Sequence, residues 1–230
     1  MARKLSKNDR PGNPAHEGDL PPAESGAAAD AGQGCPYVSR GGLKLAAALD
    51  AFQTNPTGLA CADLGCNVGG FTDCLLQRGA RRIYAIDTGH GTLDYALRRN
   101  ERVIVMERTN ALRVQLPERL DLVVIDVGWT RQRYVVPAAA GLLKPGGRII
   151  SLIKPQYEVP QSRLRNGVLP PAEAEAVLAK VLDDLARRAF TTLRWIESPI
   201  QGDAGNREFL ALLKASGVNR VAEDSSSSAR

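Results

Sequence analysis

The sequence predicts an α/β fold in which a mostly parallel sheet is covered by helices on both faces. Three observations indicate this fold. From Tyr37 onward, short runs of β-branched and aliphatic residues alternate with segments of helical length. Residues 120–126 (LDLVVID) are apolar almost throughout, as expected for a strand covered on both sides. A glycine-rich stretch, residues 63–73 (DLGCNVGGFTD), lies between the first strand and the next helix.

The first half of the chain contains four of the predicted strands. Leu45, Leu49 and Phe52 recur at helical spacing and form one apolar stripe, which predicts a helix ahead of the first strand. After the glycine-rich stretch, apolar runs such as RIYAID and RVIVME are separated by polar segments. The predicted order is helix 42–52, strand 58–64, helix 70–78, strand 82–87, helix 92–99, strand 102–107 and strand 120–126.

The second half supplies three more strands and the longest helix. The sequence Lys144-Pro145-Gly146-Gly147 is a helix stop signal, which predicts a helix that ends just before it. Gln156–Val168 is long and without periodicity, and it is placed like a lid over the strand ends. The predicted order is helix 134–143, strand 148–154, helix 171–189, strand 192–197 and strand 208–214, which brings the sheet to seven strands.

The length and composition indicate one domain with a tail at each end. Residues 1–34 are rich in Pro, Gly, Ala and Asp and hold almost no large apolar side chains, so we expect a disordered tail. Residues 35–218 form the predicted domain, and residues 219–230, with four consecutive serines, are expected to be frayed. The formal net charge is +5, and the basic excess lies in the predicted domain, which suits an anionic partner such as nucleic acid.

Several classes of protein are disfavoured by the same composition. No apolar run is long enough to span a membrane, and the amino terminus lacks the apolar core of a signal peptide. The four cysteines, Cys35, Cys61, Cys66 and Cys74, form no CxxC motif. We therefore expect free thiols in a reducing cytoplasm and no metal site.

The glycine-rich stretch predicts a nucleoside-containing cofactor. Gly65, Gly69 and Gly70 permit positive φ and let a ligand approach the backbone. Asp63 precedes them, and Asp87 ends the second strand, where a carboxylate can accept hydrogen bonds from two ribose hydroxyls. The spacing differs from the G-x-G-x-x-G of dinucleotide folds. The pattern therefore favours a cofactor without a pyrophosphate, such as S-adenosylmethionine (SAM).

Four charged residues far apart in sequence are predicted to share one cleft. Asp126 and Lys154 end two apolar strands, and the carboxyl ends of parallel strands meet at one edge of a sheet. Lys44 lies beside the apolar stripe of the first helix, and Glu208 opens the last strand. Together they predict two ammonium groups and two carboxylates around one substrate hydroxyl.

In these stretches the chain resembles the FtsJ-type ribose 2′-O-methyltransferases, and most closely the catalytic domain of the TlyA family, which methylates rRNA. The resemblance covers about residues 37–216 and is carried, in order, by YVSRGGLKLAAALDAF, DLGCNVGGFTDCLLQRGA, VMERTN, DLVVIDV, LLKPGGRIISLIKPQYE and SPIQGDAGNREFLALL. It implies a Rossmann-like SAM-dependent methyltransferase fold, RNA and in particular rRNA or ribosomal subunits as the partner, and a cytoplasmic location.

The resemblance also implies roles for individual residues. The catalytic tetrad would be Lys44, Asp126, Lys154 and Glu208. The cofactor contacts would be Asp63, Gly65, Gly69, Gly70, Phe71, Asp87, Asn110 and Asp126.

The chain departs from the family pattern at two places. TlyA-like proteins usually begin with a small RNA-binding domain, where this sequence has its predicted tail. After Asp126 the family usually continues with Ser and Phe, whereas Gly128–Arg133 (GWTRQR) follows here. Trp129 in this segment is expected either to stack on a base or to pack internally. The predicted contacts to RNA phosphates are Arg131, Arg133, Arg163 and Arg165.

Two questions stay open on the sequence alone. Lys154 is either a neutral base that accepts the proton of the 2′-hydroxyl, or an ammonium that orients the hydroxyl and stabilises the developing alkoxide. The acceptor is either rRNA or, alternatively, tRNA or a small molecule. A further alternative is a non-catalytic RNA-binding protein that retains the fold. The oligomeric state is not predicted.

Overall fold

The computed structural model describes residues 34–216. The two predicted tails, 1–34 and 219–230, therefore lie outside the described residues apart from Gly34. The helices are α1 Gly41–Ala51, α2 Gly70–Gln77, α3 Tyr95–Arg98, α4 Gln132–Ala140, α5 Pro155–Glu158 and α6 Pro171–Arg187. The strands are β1 Ala60–Leu64, β2 Arg82–Ile86, β3 Val103–Met106, β4 Leu120–Ile125, β5 Leu143–Ile153, β6 Phe190–Glu197 and β7 Phe209–Ala215.

The seven strands form one sheet in the order β3-β2-β1-β4-β5-β7-β6. The first five pair in parallel, and β7 runs antiparallel to both β5 and β6. The predicted fold class, a Rossmann-like, mostly parallel sheet of seven strands, is confirmed. Among residues 34–216, no helix is both long enough and apolar enough to cross a membrane.

Successive residues of β4 show why its sequence is apolar almost throughout. Leu122 and Val124 pack in the cluster formed with α1 and α2, on one face of the sheet. Val123 and Ile125 pack on the other face with residues of α4 and α6. All four side chains are at most 1% exposed. Because side chains alternate between the two faces of a strand, helices on both faces require an apolar residue at every position.

The order of the strands places a crevice at the carboxyl ends of β1 and β4. From β1 the chain proceeds outward to β2 and β3, and from β4 it proceeds in the other direction to β5. In sheets of this kind ligands bind where the order reverses. Asp126 follows β4 and Lys154 follows β5, so both residues stand at this edge.

The boundary predicted around Lys144 is wrong, because strand pairing extends into the stop signal. Helix α4 ends at Ala140 rather than 143, and Leu143 already pairs with Leu120 of β4. The register then shifts so that Leu122 pairs with Arg148. The stop signal therefore forms a bulge within β5 rather than a link between two elements.

Two other local predictions need correction. Helix α3 has four residues rather than the predicted span 92–99, because the Asp94 side chain caps it by accepting a hydrogen bond from the N–H of Ala96 at 2.7 Å. Gln156–Val168 is not irregular throughout. Pro155 begins the short helix α5, since its fixed φ suits the first helical position, and a 3₁₀ turn follows at Gln161–Arg163.

Candidate active site

The glycine-rich loop brings the ends of β1 and β4 close together. Gly65 has φ +88°, and a β-carbon there would collide with the carbonyl oxygen of Asp126. Gly69 has φ +107° and lies against the side chains of Leu93 and Leu97. Only glycine meets both demands without strain, so the loop can turn tightly and leave its backbone beside a cavity.

A cavity of about 220 Å³ lies at the carboxyl ends of β1, β2 and β4. We call it the cofactor cavity. Four of the predicted cofactor residues line it: Gly65, Asp87, Asn110 and Asp126. Trp129, which the sequence did single out, also lines it. No role was predicted for other lining residues such as Thr88, Thr109 and Leu112, because uncharged loop side chains give little signal on their own.

Asp87 organises one side of the cofactor cavity. One of its carboxylate oxygens accepts a hydrogen bond from the N–H of Asn67 at 2.9 Å, and the other accepts one from the N–H of Gly89 at 2.7 Å. Each carboxylate oxygen has two lone pairs, so both can accept a further hydrogen bond. The residue therefore fixes two loops and still offers acceptors to a bound diol.

The other four predicted cofactor residues lie behind the cavity wall rather than among its lining residues. Gly69 and Gly70 shape the loop, and Gly70 is so close to α1 that a β-carbon there would collide with Ser39. Phe71 is 3% exposed and packs in the core cluster with α1. These residues pack around the loop and do not line the cavity. Asp63 is the fourth of them.

Asp63 is a fully buried carboxyl group directly behind the loop. Its Oδ2 accepts a hydrogen bond from the hydroxyl of Thr72 at 2.7 Å, whereas Oδ1 has no partner among the described residues. Burial raises the pKa of Asp63 to about 7, and the charges of Asp126 and Asp87 contribute in the same direction. An orphaned buried oxygen beside a cavity fits a site built for a polar ligand.

The four residues of the predicted tetrad form two ion pairs. The Nζ of Lys154 lies 2.6 Å from Oδ1 of Asp126, and the Nζ of Lys44 lies 2.6 Å from Oε2 of Glu208. Lys44 and Glu208 are 9% and 3% exposed. The negative charge of Glu208 also acts on Lys154, so the two pairs adjoin each other. The fold therefore brings together charges that are up to 164 positions apart in sequence.

Opposing influences set the protonation of Lys154. Burial by itself lowers the pKa of this ammonium group. The negative charges of Asp126 and Glu208 act in the opposite direction and prevail, so the pKa is raised above its usual value. Lys154 is accordingly an ammonium at neutral pH in the unliganded protein.

A second cavity, of about 390 Å³, lies on the other side of Lys154. We call it the acceptor cavity. Lys154, Glu208, Trp129, Tyr157 and Asn206 are among its lining residues. Asp126 lines the cofactor cavity, and Trp129 lines both. The Asp126–Lys154 ion pair therefore has one partner on each cavity, at the boundary between them.

Trp129 stands at this boundary with 84% of its surface exposed. Its ring centroid is 4.7 Å from that of Tyr157, and its φ of +61° is unusual for a bulky residue. The alternative in which Trp129 packs internally is therefore wrong. Tyr157 and Asn206 were not predicted as site residues, although both lie in stretches that carry the family resemblance.

Three of the four arginines predicted to contact RNA share a third cavity. Arg131, Arg133 and Arg163 line a space of about 220 Å³ beside the acceptor cavity. Arg165 does not line it and is exposed, in a backbone bridge with Val168. Within residues 34–216, no group of three or more His, Cys, Asp or Glu side chains is arranged to hold a metal ion.

Comparison with known proteins identifies the family. The model of the FtsJ-like methyltransferases matches residues 37–215. The chain belongs to this family. The TlyA protein of Mycobacterium tuberculosis, named a 16S/23S rRNA (cytidine-2′-O)-methyltransferase, is 40% identical to this FtsJ-like enzyme, covering 77% of this chain and 68% of that protein. Hemolysin A of Brachyspira hyodysenteriae is 34% identical, covering 78% of this chain and 77% of that protein.

Solved structures agree with this assignment. A candidate hemolysin from Streptococcus thermophilus superposes on this FtsJ-like methyltransferase with a TM-score of 0.76 and 36% identity, covering 80% of this chain and 69% of that chain. One from Lactococcus lactis gives a TM-score of 0.74 and 37% identity, covering 77% of this chain and 88% of that chain.

Proposed function

We propose that this FtsJ-like methyltransferase transfers a methyl group from SAM to a ribose 2′-hydroxyl of RNA, with rRNA as the substrate. The observation that carries the proposal is the Asp126–Lys154 ion pair at the boundary of two cavities. One cavity suits a nucleoside cofactor and the other an extended acceptor. An ammonium at their boundary can bind the oxygen that is to be methylated.

The relatives supply the choice of RNA. The TlyA protein of Mycobacterium tuberculosis is named for methylation of cytidine in 16S and 23S rRNA, and that of Campylobacter jejuni for methylation of cytidine in 23S rRNA. The tetrad and the glycine-rich loop are intact in this chain, which argues against a protein that only binds RNA. We therefore propose a cytidine of rRNA as the target, and with it the cytoplasm as the site of action.

The cofactor cavity fits SAM by its chemistry. Asp87 would hold the two ribose hydroxyls, Asn110 lies on the lining nearby, and Gly65 leaves the backbone open to approach. SAM supplies a methyl group on a positively charged sulfonium. Asp126 lies on the same lining, where its negative charge balances the ammonium of Lys154.

The raised pKa of Lys154 favours the orienting role over the role of neutral base. As an ammonium, Lys154 donates a hydrogen bond to the 2′-oxygen and fixes its direction toward the methyl group. As the methyl group transfers, the hydroxyl releases its proton to water, and the same ammonium stabilises the negative charge that develops on the oxygen. Asp126 holds the ammonium in place at 2.6 Å.

Lys44 and Glu208 complete the site from the other side. Their ion pair is almost fully buried, and Glu208 lines the acceptor cavity. Breaking a buried pair by removing one partner is costly, because the remaining charge is left uncompensated. The ion pair therefore fixes the position of Glu208. The negative charge of Glu208 in turn helps to keep Lys154 protonated.

Trp129 is suited to stack on the base of the target nucleotide. It is exposed, it lies between the two cavities, and its partner Tyr157 lines the acceptor cavity. Stacking on an aromatic side chain is the usual way in which proteins hold an unstacked RNA base.

The test is mass spectrometry of rRNA nucleosides. Purified protein is incubated with SAM and with either ribosomal subunit, taken from a strain that lacks 2′-O-methylcytidine, and a Lys154→Ala variant serves as the control. We expect 2′-O-methylcytidine to form with at least one subunit and only with the wild-type protein. Methylation of tRNA or of a small molecule instead, or of a base instead of a ribose, would contradict the proposal.

A further inference from the structure

A basic cavity lies beside the acceptor cavity, between the start of α4, the segment after α5, and α6. Its volume is about 220 Å³. The charged residues that line it are Arg131, Arg133, Arg163, Lys180, Glu158 and Asp184. Four cations therefore face two carboxylates. A concave surface with this balance attracts an anion.

Both carboxylates of the basic cavity have a hydrogen-bond or ion-pair partner. An oxygen of Glu158 accepts a hydrogen bond from the N–H of Gln132 at 2.7 Å, at the amino terminus of α4. Asp184 pairs with Arg188 at 3.0 Å. Neither carboxylate lies within ion-pair distance of a cation of the cavity among the described residues, although the charges of Arg131 and Arg133 do act on Glu158.

Three cations of the cavity are thus left for a ligand. Arg163 pairs with Glu173. Arg131, Arg133 and Lys180 have no ion-pair partner within residues 34–216. The guanidinium of Arg133 lies over the ring of Tyr134, 4.8 Å from its centroid, and its buried Nε has no hydrogen-bond partner among the described residues. A buried donor without a partner costs free energy that an anionic acceptor would recover.

The basic cavity adjoins the site of methyl transfer. Val159 lines both the basic cavity and the acceptor cavity. Its immediate neighbours Glu158 and Pro160 line the basic cavity, and Tyr157, two positions earlier, lines the acceptor cavity. An RNA strand with one ribose in the acceptor cavity would therefore pass close to the cations of the basic cavity.

We propose that the basic cavity binds a backbone phosphate of the substrate RNA, close to the nucleotide whose ribose lies in the acceptor cavity. This inference rests on the proposed function and adds the element that fixes the register of the RNA strand. Planar guanidinium groups bind two phosphate oxygens at once, which gives direction as well as affinity. Lys180, which the sequence did not single out, is part of this phosphate site, and Arg165 is not.

The test compares two double variants of the full chain. Arg131→Gln/Lys180→Gln removes two cations of the basic cavity, neither of which belongs to the tetrad. Arg148→Gln/Lys214→Gln removes the same two kinds of charge from exposed positions on β5 and β7, at the opposite end of the sheet. Binding of a short fluorescein-labelled single-stranded RNA is measured by anisotropy over a range of salt concentrations.

Loss of one phosphate contact has a defined signature. For Arg131→Gln/Lys180→Gln we expect RNA affinity to fall about tenfold and the slope of log K against log salt to decrease in magnitude by about 0.7, the value for one phosphate of a single strand. The control variant should keep the wild-type slope. SAM affinity, measured by calorimetry, should be unchanged in both, which shows that the variants are folded.

The outcomes separate this inference from the proposed function. If both variants keep the wild-type slope while the wild-type protein methylates rRNA, the basic cavity is not a phosphate site and the inference alone fails. If the slope falls as expected but no nucleoside is methylated, the proposed function fails alone. Inorganic phosphate is titrated at constant ionic strength and followed by phosphorus NMR. Phosphate that binds to the wild-type cavity without any effect of the variant on RNA binding would also overturn the inference.

Discussion

Lys154 shows how two charged neighbours decide the chemistry available to a lysine. Burial alone lowers its pKa and would favour a neutral amine. Asp126 at 2.6 Å and the charge of Glu208 raise the pKa instead, so that Lys154 stays an ammonium. A neutral base at pH 7 would need the opposite shift. The raised pKa therefore supports the proposed role, in which Lys154 orients the hydroxyl and stabilises the developing oxyanion.

The pH dependence of methyl transfer tests this role. In the proposed mechanism the ammonium is the active form. Because its pKa lies above the usual value, the rate at saturating substrate should be nearly constant between about pH 7 and 9. A neutral-base mechanism predicts a rate that rises about tenfold with each pH unit over the same range. Single-turnover rates at several pH values, with intact RNA verified afterwards, distinguish the two.

Replacement of Lys154 should separate chemistry from cofactor binding. We expect Lys154→Ala to reduce the transfer rate by about 10²–10³-fold or more, because a donor to the developing oxyanion is lost. The matched control is Lys144→Ala, which removes an exposed lysine paired with Asp121 at 2.7 Å, away from the site. SAM affinity should stay near the wild-type value in both variants. Transfer by Lys154→Ala at the control's rate would refute the assignment.

Asp63 makes folding stability depend on pH in an unusual direction for a carboxyl group. Its pKa is raised to about 7 in the fold, so ionisation opposes folding. The contribution of Asp63 to the free energy of unfolding is largest below about pH 4 and is lost as the pH rises toward 7. The total change is up to about 4 kcal/mol. Asp63→Asn removes this dependence.

Urea unfolding of both proteins at pH 5 and pH 8 provides the measurement. The free energy of unfolding of Asp63→Asn minus that of the wild-type protein should be larger at pH 8 than at pH 5. Titrating groups that do not interact with Asp63 are common to the two proteins and cancel in the comparison. A difference in the free energy of unfolding that does not change with pH would show that Asp63 ionises normally.

At the level of helices and loops, Asn206 holds the floor of the acceptor cavity in place. Its side-chain oxygen accepts a hydrogen bond from the N–H of Leu169 at 3.0 Å, and its amide donates to the carbonyl oxygen of Gly167 at 3.1 Å. Gly167 and Asn206 both line the cavity. Two backbone groups of the segment before α6 thus depend on one side chain just before β7.

Loss of this side chain should loosen the segment without affecting the cofactor. For Asn206→Ala we expect stability to fall by about 1–3 kcal/mol, faster hydrogen exchange in residues 164–170, and a higher KM for RNA with unchanged SAM affinity. Asn55→Ala, which removes a hydrogen bond of an exposed loop to the N–H of Thr57, is the control. Equal exchange rates in the two variants would show that the cavity floor is held by other contacts.

Across the whole domain, occupation of the cofactor cavity should stabilise the fold as one unit. Gly65, Asp87 and Asp126 join loops from β1, β2 and β4, so a ligand there links the centre of the sheet. S-adenosylhomocysteine at about 100 times its Kd should add about 2.7 kcal/mol, which corresponds to a rise in Tm of about 5–10 °C.

Thermal unfolding with and without S-adenosylhomocysteine measures this effect. The rise should be absent or much smaller in Asp87→Ala, which loses the acceptors for the ribose hydroxyls. The control is Leu112→Ala, which changes an apolar side chain of the same lining and should keep most of the rise in Tm. If the wild-type protein shows no rise, the cavity does not bind the cofactor.

The alternation of apolar runs and helical stripes was enough to predict the seven strands, their mostly parallel arrangement and the edge at which the site lies. These features follow from local periodicity, because helices on both faces demand continuous apolar strands such as β4. The strand ends explain why Asp126 and Lys154 stand at one edge, and the resemblance added the catalytic role of the four charged residues.

The pairing of charges and the lining of the cavities were decided only by the tertiary structure. Lys44 and Glu208 are 164 positions apart, so no local pattern indicates that they form a buried ion pair. Phe71 and Asp63 belong to the same motif as Gly65, yet of the three only Gly65 lines the cofactor cavity. Phe71 packs in the core cluster with α1, and the buried Asp63 carboxyl accepts a hydrogen bond from Thr72 of α2. The protonation of Lys154 likewise depends on distances and burial, which a linear pattern does not contain.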